Sequence, residues 1–219
     1  SKALELPAPY FSEDALLLDG RVNFTQAGIF FADFVITASE SLNEKLASED
    51  SDHPLADASA ERAEDTFGIS DGLDPEAWDP NNDPQLAVPF SAERLNGKRR
   101  NKAELQHIFG LPARPTLPLV AFVGPLTKDR GADLFADALE AMLGNGHALQ
   151  VVVLGRGEEK IMMRLANLAK AHPRQIGLHL EDDALLLRRV MAGADLMAFP
   201  DRHAAATTSH LKAMRYGSV

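Results

Sequence analysis

The sequence of 219 residues predicts an α/β protein built around a doubly wound parallel sheet. The first observation is the stretch 119–131, where an apolar strand breaks into a Gly/Pro turn that a helix follows. The second is that strand-like and helix-like segments alternate through residues 118–199. The third is that strands such as 149–154 are almost uninterruptedly apolar, as in parallel strands covered on both faces.

The N-terminal part of the chain predicts a less regular arrangement. Residues 20–33 have the pattern of an amphipathic helix, and residues 34–39 that of a short buried strand. Ser39 is expected to cap the next helix, since its hydroxyl can accept a free backbone N–H. The acidic, Ala/Ser-rich stretch 47–66 predicts a mobile excursion with one helix around 58–64.

Turn-forming residues dominate the middle of the chain. Residues 71–84 are interpreted as a connection between two lobes, with Trp78 as its apolar anchor. Residues 91–109 predict a helix that Gly110 and Pro112 bring to an end.

The remaining elements alternate in type beyond Pro118. They are a strand at 118–123, a helix at 130–143, a strand at 149–154, a helix at 157–171, a strand at 176–180, a helix at 184–193 and a strand at 195–199. A parallel sheet that stops there leaves an apolar edge strand, so we expect the chain to be a fragment of a longer protein.

Composition excludes several classes of function. The net charge of −10 and the pI of about 5.1 argue against binding of nucleic acid, which relies on clustered Lys and Arg. The one basic cluster, Lys98, Arg99, Arg100 and Lys102, is interpreted as a solvated helix start. Without cysteine, neither disulfides nor thiolate metal sites can form.

No membrane span and no secretory signal are apparent, because no stretch approaches the ~20 apolar residues that a spanning helix needs. A cytoplasmic location is therefore expected, or a plastid one if the source is a plant or alga. No metal and no cofactor are expected, and His203 and His210 are interpreted as surface or packing residues.

The Gly/Pro turn after the strand at 118–123 predicts a phosphorylated ligand. Free backbone N–H groups and the helix dipole converge where a strand ends in a glycine turn against a helix N-terminus. Gly124 marks this turn, and a similar turn follows the next strand at Gly155, Arg156 and Gly157.

Several separated motifs resemble those of bacterial glycogen synthases and plant starch synthases. They are residues 20–24, 27–29 and 32–33; residues 68–74 with Trp78, Pro80, Asp83 and Pro84; residues 101–105; and residues 192–195 with 215–217. Their order and spacing match the family over nearly the whole chain, which makes the resemblance far more specific than a lone glycine pattern.

The resemblance implies a GT-B fold, in which two Rossmann-like domains flank a cleft. Residues 1–67 would be the end of the N-terminal lobe, with its acidic loop. Residues 68–219 would be the linker and a truncated C-terminal, nucleotide-sugar-binding domain. The implied reaction is retaining transfer of glucose from ADP-glucose to an α-1,4-glucan. The family's Lys-Thr-Gly-Gly motif and catalytic histidine would lie upstream of Ser1.

The resemblance also implies a donor site in which cations neutralise the departing diphosphate. The family's arginine falls on Pro125, which brings neither charge nor N–H, and its lysine falls on Arg130. Losing one such contact would cost about 1.5 to 3 kcal/mol. The family's Leu-Gly-Ser-Gly-Asp turn, which lies beside the nucleotide, falls on 154–158 and includes Arg156 and Gly157. Arg156 is interpreted either as a cation that restores the charge missing at Pro125 or as a solvent-facing arginine on a loop.

Two further parts of the family's site are altered. The stretch Pro200, Asp201, Arg202, His203, Ala204 aligns with the family's Pro-Ser-Arg-Phe-Glu, and Ala204 replaces the glutamate that contacts the transferred sugar. The Gly-Leu pair that meets the phosphates becomes Thr207 and Thr208. The aromatic residue that stacks on the adenine becomes Asp182, whose carboxylate offers no stacking face.

Three functions therefore stay open from the sequence. The first is a glycogen or starch synthase-like glucosyltransferase, this chain itself being inactive as a fragment with substituted site residues. The second is a catalytically dead homologue that serves as a glucan-binding or regulatory subunit. The third is a transferase with shifted sugar-nucleotide specificity, in which Arg130 and Arg156 form a new clamp.

Overall fold

The computed structural model describes residues 5–48, 53–202 and 208–219. The chain divides into two compact units, Ser1–Gly72 and Leu73–Val219. Nowhere in these described ranges is a helix both long enough and apolar enough to cross a membrane.

The described residues of the first unit form two small sheets and three α-helices. Its elements are β1 (Leu17–Leu18), β2 (Arg21–Val22), α1 (Phe24–Phe31), β3 (Val35–Thr37), α2 (Glu40–Leu46), α3 (Ala56–Glu61) and β4 (Thr66–Gly68). β1 and β2 form an antiparallel hairpin, and β3 pairs with β4 in parallel.

The helix predicted at 20–33 is shorter than its pattern indicates. Asp19 and Gly20 take positive φ values of 52° and 71°, so the chain turns there, and Arg21–Val22 pairs as β2. The helix begins only after Asn23, whose Oδ1 accepts the N–H groups of Thr25 and Gln26 at 3.0 Å each. The amphipathic pattern of residues 20–33 includes β2, because a strand of two residues is too short to show an alternation of its own.

The strand predicted at 34–39 forms, but the prediction that it is buried is wrong. Phe34 and Ile36 are 64% and 66% exposed, and Phe67 and Ile69 beside them on β4 and its continuation are also exposed. α2 packs against this two-stranded sheet, and the predicted cap is confirmed, since Ser39 Oγ accepts the Leu42 N–H at 3.1 Å. We call these four exposed side chains the apolar face.

The acidic stretch after α2 is tied to α1 by one arginine. Arg62 follows α3 and donates to the carbonyls of Ile29, Phe30 and Ala32 at 2.9, 2.7 and 2.7 Å. A cation at these last carbonyls satisfies groups that have no partner inside the helix. Residues 49–52 of the predicted mobile excursion lie outside the described residues.

The second unit is the predicted doubly wound domain. Its elements are α4 (Asn96–Ile108), β5 (Leu119–Val123), α5 (Ala132–Gly144), β6 (Gln150–Leu154), α6 (Glu159–Ala171), β7 (Ile176–His179), α7 (Ala184–Gly193), β8 (Leu196–Ala198) and α8 (Ser209–Arg215). The four strands are all parallel, in the order β7-β6-β5-β8. Residues 91–95, predicted as helical, form a turn instead, closed by the bridge between Ser91 and Arg94.

Each face of this sheet packs on its own set of helices. On one face, Leu105, Val190 and Tyr216 from α4, α7 and the end of α8 cover Ala121 and Val152. On the other face, the cluster comprises Phe135 and Leu139 from α5, Leu165 from α6, and Phe122, Val151 and Val153 from the strands. β6 is buried along its whole length, which explains its continuous apolar sequence.

The basic cluster at the start of α4 is only partly solvated, so its interpretation needs correction. Arg99 and Arg100 are exposed as expected, but Lys98 points inward. Its Nζ donates to the carbonyls of Ala192, Ala194 and Tyr216 at 3.2, 2.8 and 2.9 Å. These carbonyls lie where α7 and α8 end, so the ammonium compensates two helix C-termini.

Lys102, one turn further along α4, is buried. Its Nζ forms a salt bridge of 2.6 Å with Asp195 Oδ2 and donates to the Leu117 carbonyl. Both lysines thus seat α4 against the start of β5 and the end of α7.

The segment after residue 73 packs on α7 and α8 through Trp78. Its ring centroid lies 6.1 Å from that of Tyr216 and 4.2 Å from the Arg188 guanidinium. Tyr216 donates its hydroxyl hydrogen to Asp83, and Arg188 lies 2.9 Å from the same carboxylate oxygen. Burial acts to raise the pKa of Asp83, but the hydrogen bonds from Tyr216, Gln85 and Arg188 outweigh it and lower that pKa.

Candidate functional site

The turns that follow the four parallel strands lie together at the carboxyl edge of the sheet. β5 lies between β6 and β8: the strands β6 and β7 follow it to one side, and the next strand along the chain, β8, lies on its other side, so the strand order reverses at β5. Such a switch point opens a crevice at the carboxyl ends of the strands, where α/β proteins bind ligands.

The turns after β5 and β6 are joined by backbone hydrogen bonds. Gly124 N–H donates to Leu154 O at 3.0 Å, and Leu126 N–H donates to Arg156 O at 2.9 Å. A parallel bridge between Leu126 and Gly157 extends this pairing beyond the strands. The structure therefore brings Gly124 and Gly157, both singled out in the sequence, onto adjacent turns.

Only glycine fits at the positions where these two turns touch. Gly155 has a φ of +144°, and a Cβ there would lie 2.0 Å from the Gly124 carbonyl oxygen. A Cβ on Gly157 would lie 2.4 Å from the Leu126 carbonyl oxygen. The two turns thus pack backbone against backbone, which a side chain would prevent.

The turn after β5 also touches the segment after β8. Gly131, the N-cap of α5, has a φ of +66°, and a Cβ there would lie 1.9 Å from the Pro200 carbonyl oxygen. This contact closes the base of the crevice between β5 and β8 and fixes Arg130 beside Asp201.

The candidate phosphate-binding cation, Arg130, is engaged in an ion pair. Its Nη1 lies 2.7 Å from Asp201 Oδ1, and the two side chains are 31% and 21% exposed. An arginine in this position can bind an anion through several N–H groups. In the structure, the Asp201 carboxylate already lies in ion-pair contact with this guanidinium.

A second ion pair at the same edge engages Arg202. Its guanidinium donates to both carboxylate oxygens of Asp133, at 2.6 and 2.9 Å, and to the Lys128 carbonyl. The hydrogen bonds from Arg202 lower the pKa of Asp133 to about 2. The sequence alone indicates neither this pair nor the pair between Arg130 and Asp201, because neither pairing involves residues close in sequence.

Arg156 differs from these two arginines. It is exposed on the turn after β6, and within the described part of the chain no ion pair within 4 Å involves it. Beside it, Glu158 Oε1 accepts the Lys128 N–H at 2.9 Å. Arg156 is thus the candidate site cation whose guanidinium faces solvent.

The other candidate residues fall partly outside the described structure. His203, Ala204 and Thr207 are not among the described residues. Thr208 is half-buried at the start of α8, where its carbonyl accepts the Lys212 N–H at 2.9 Å. His210 is exposed on α8.

Asp182 and Pro125 are both exposed at the carboxyl edge. Asp182 lies in the turn after β7, next to Asp183, whose side chain caps α7 by accepting the Leu185 and Leu186 N–H groups. No group of three or more His, Asp or Glu residues that could hold a metal ion occurs in the ranges described.

Comparisons with known proteins show what this arrangement is similar to. The sequence is 36% identical over 217 residues to glycogen synthase 2 of Nitrosococcus oceani, covering 99% of this chain and 44% of that protein. It is 36% identical over 217 residues to a glycogen synthase of Anaeromyxobacter dehalogenans, covering 99% of this chain and 45% of that one. No family model matches the sequence.

The structure is similar to the catalytic domain of starch synthase IV from Arabidopsis thaliana, solved with bound ADP and acarbose. The TM-score is 0.86 at 26% identity, covering 98% of this chain and 45% of that one. An Anabaena protein, HepE, solved in complex with UDP, matches with a TM-score of 0.57 at 17% identity, which shows the fold alone. These likenesses confirm the predicted GT-B type fold, and the chain spans less than half the length of the relatives it matches.

Proposed function

We propose that this chain, a homologue of the glycogen and starch synthases along nearly its whole length, forms the donor-binding part of a retaining glucosyltransferase. The donor is ADP-glucose and the acceptor an α-1,4-glucan. A cytoplasmic location, or a plastid one in a plant or alga, goes with this function.

One observation carries the proposal: the glycine turns after β5 and β6 meet at the switch point of a sheet that matches an ADP-bound starch synthase. Gly124 and Gly157 keep side chains away from this edge, so a diphosphate can approach the backbone. Arg156 and Arg130 supply positive charge from two adjacent turns, and Thr207 and Thr208 are the proposed backbone contacts to the phosphates.

The chain on its own is proposed to be inactive in transfer. The family's sugar-contacting glutamate is replaced by Ala204, and a methyl group accepts no hydroxyl hydrogen bond and does not stabilise positive charge on the sugar. Asp182 stands where the family places an aromatic ring, and Pro125 where it places an arginine.

Calorimetric titration of the full chain with ADP-glucose tests donor binding. We expect weak but saturable binding that falls at least about tenfold in R130A, as expected for loss of a charge-assisted contact to phosphate. R99A is the matched control, because Arg99 is exposed on α4 and lies away from the carboxyl edge. A panel of ADP-, UDP- and GDP-sugars that leaves the melting temperature unchanged would contradict the proposal.

The ion pair between Arg130 and Asp201 favours a second candidate function, a catalytically dead subunit that binds glucan or regulates an active synthase. An arginine that is already paired with a carboxylate of the same chain attracts an anionic nucleotide less strongly. Retardation of the chain in a gel containing amylopectin, without any nucleotide and unchanged in R130A, would support this second function over the first.

A further inference from the structure

We propose that the Asp201 carboxylate competes with the donor's diphosphate for Arg130. The diphosphate must therefore displace Asp201 before it can bind this guanidinium. The inference rests on the proposed function and concerns the same site. It identifies a residue that sets donor affinity, where the resemblance gives a neutral serine.

The geometry places the two groups in direct competition. Arg130 Nη1 and Asp201 Oδ1 are 2.7 Å apart, so the two charges are in direct contact. The backbone contact between Gly131 and Pro200, the residues next to this pair in sequence, holds the two turns at that spacing. Neither side chain has to stretch across the crevice to make the pair.

Burial strengthens the dependence of Asp201 on Arg130. Its Oδ1 is withdrawn from solvent, and among the described residues the ion pair with Arg130 is the interaction found for that oxygen. A carboxylate oxygen that water does not reach needs such compensation. Displacing the Asp201 carboxylate from Arg130 exposes its negative charge to water and leaves that charge close to the incoming anion.

The neighbouring cation does not relieve this competition. Arg202 is bound by both oxygens of Asp133 and by the Lys128 carbonyl, so both guanidinium groups between β5 and β8 are neutralised within the chain. Arg156 lies on the turn after β6 and is exposed. An anion therefore finds one solvent-facing guanidinium at this edge, that of Arg156, and two that are already paired, those of Arg130 and Arg202.

Titration calorimetry of the full chain with ADP and, separately, with inorganic pyrophosphate tests the inference. The variants D201N and D201S remove the carboxylate, the first with the same shape and the second with the family's residue. D129N is the matched control, because Asp129 is an exposed carboxylate next to Arg130 and its removal changes the net charge equally. Thermal unfolding by circular dichroism establishes that each variant is folded, and D201S serves if D201N is not.

We expect D201N and D201S to bind both ligands at least about fivefold more tightly than the wild type, and D129N to stay within about twofold. Equal gains in D129N and D201N, no gain in D201N, or no binding of either ligand by any variant would overturn the inference. Tighter pyrophosphate binding in D201N without any ADP binding would support the inference and count against the proposed function alone.

Discussion

Lys102 Nζ lies 2.6 Å from Asp195 Oδ2, and the same oxygen accepts the Leu119 N–H at 2.8 Å. One carboxylate oxygen thus joins α4, the first residue of β5 and the residue before β8. Lys102 and Asp195 belong to two of the separated motifs on which the family resemblance depended. Their pairing gives a physical reason for that part of the resemblance: both serve the core of the second unit.

Substituting Asp195 by Ala should lower the free energy of unfolding by about 1.5 to 3 kcal/mol, because it removes hydrogen bonds that involve charged groups and leaves the buried Lys102 without its anion. Urea unfolding followed by circular dichroism measures the change. Asp182→Ala, which removes an exposed carboxylate at the other end of the sheet, should change the stability by less than about 0.5 kcal/mol. Similar losses in both variants would contradict the role of the pair.

Lys98 should make stability depend on pH in the alkaline range. Burial lowers its pKa from 10.5 to about 8, with Asp195 acting in the opposite direction. Between these two values the unfolded chain binds more protons than the folded one, so the contribution of Lys98 to the free energy of unfolding rises with pH. Below pH 8 both states carry the proton and this contribution is constant.

Urea unfolding of the wild type and of Lys98→Met at pH 7.5, 8.5 and 9.5 isolates this contribution from other groups. The difference in unfolding free energy, wild type minus variant, should increase across the three pH values. A flat or falling difference would show that the lysine keeps its proton in the folded state.

Gly155→Ala should destabilise the second unit by at least about 2 kcal/mol, since a Cβ there meets the Gly124 carbonyl oxygen at 2.0 Å and φ is +144°. The matched substitution Gly144→Ala adds the same methyl at the end of α5, where nothing lies within 4 Å and φ is not positive. It should be neutral or slightly stabilising. Differential scanning calorimetry distinguishes the two, and equal melting temperatures would show that the turns after β5 and β6 are not closely packed.

The apolar face of the first unit should promote self-association. The double substitution Phe34→Ser and Ile36→Thr reduces this exposed apolar surface, so sedimentation velocity should show less association at a given concentration. Met163→Thr on α6 is the control, because it removes an exposed apolar side chain from the second unit. Equal effects of the control and the double variant would show that the apolar face has no special role.

The strands and helices of the second unit could be predicted closely from sequence. Each of its parallel strands is a short apolar run that ends at a turn, and this pattern is local. The hairpin of β1 and β2 escaped prediction because two-residue strands have no periodicity. The inward direction of the Lys98 side chain was not predicted either. A run of Lys and Arg looks the same in sequence whether the helix that carries it faces solvent or packs beside the C-termini of other helices.

The candidate site was only half accessible from sequence. The turns at Gly124 and Gly157 could be predicted, because each comes directly after an apolar run whose end is visible in the sequence. The pair between Arg130 and Asp201 joins loops that follow different strands, so it depends on which strands are neighbours, and the order β7-β6-β5-β8 is a property of the whole fold. No local pattern contains that order.

The contacts by which Lys98 holds α4 in place have a consequence for folding during translation. Lys98 meets the Tyr216 carbonyl across a sequence separation of 118 residues, and the Ser218 hydroxyl lies beside it. While the ribosome is still translating the residues between Lys98 and Tyr216, the Lys98 ammonium stays hydrated and α4 cannot make these contacts. We therefore expect this unit to complete its fold only after Ser218 has left the exit tunnel, so that nascent chains arrested earlier would be open to proteases and in need of chaperones.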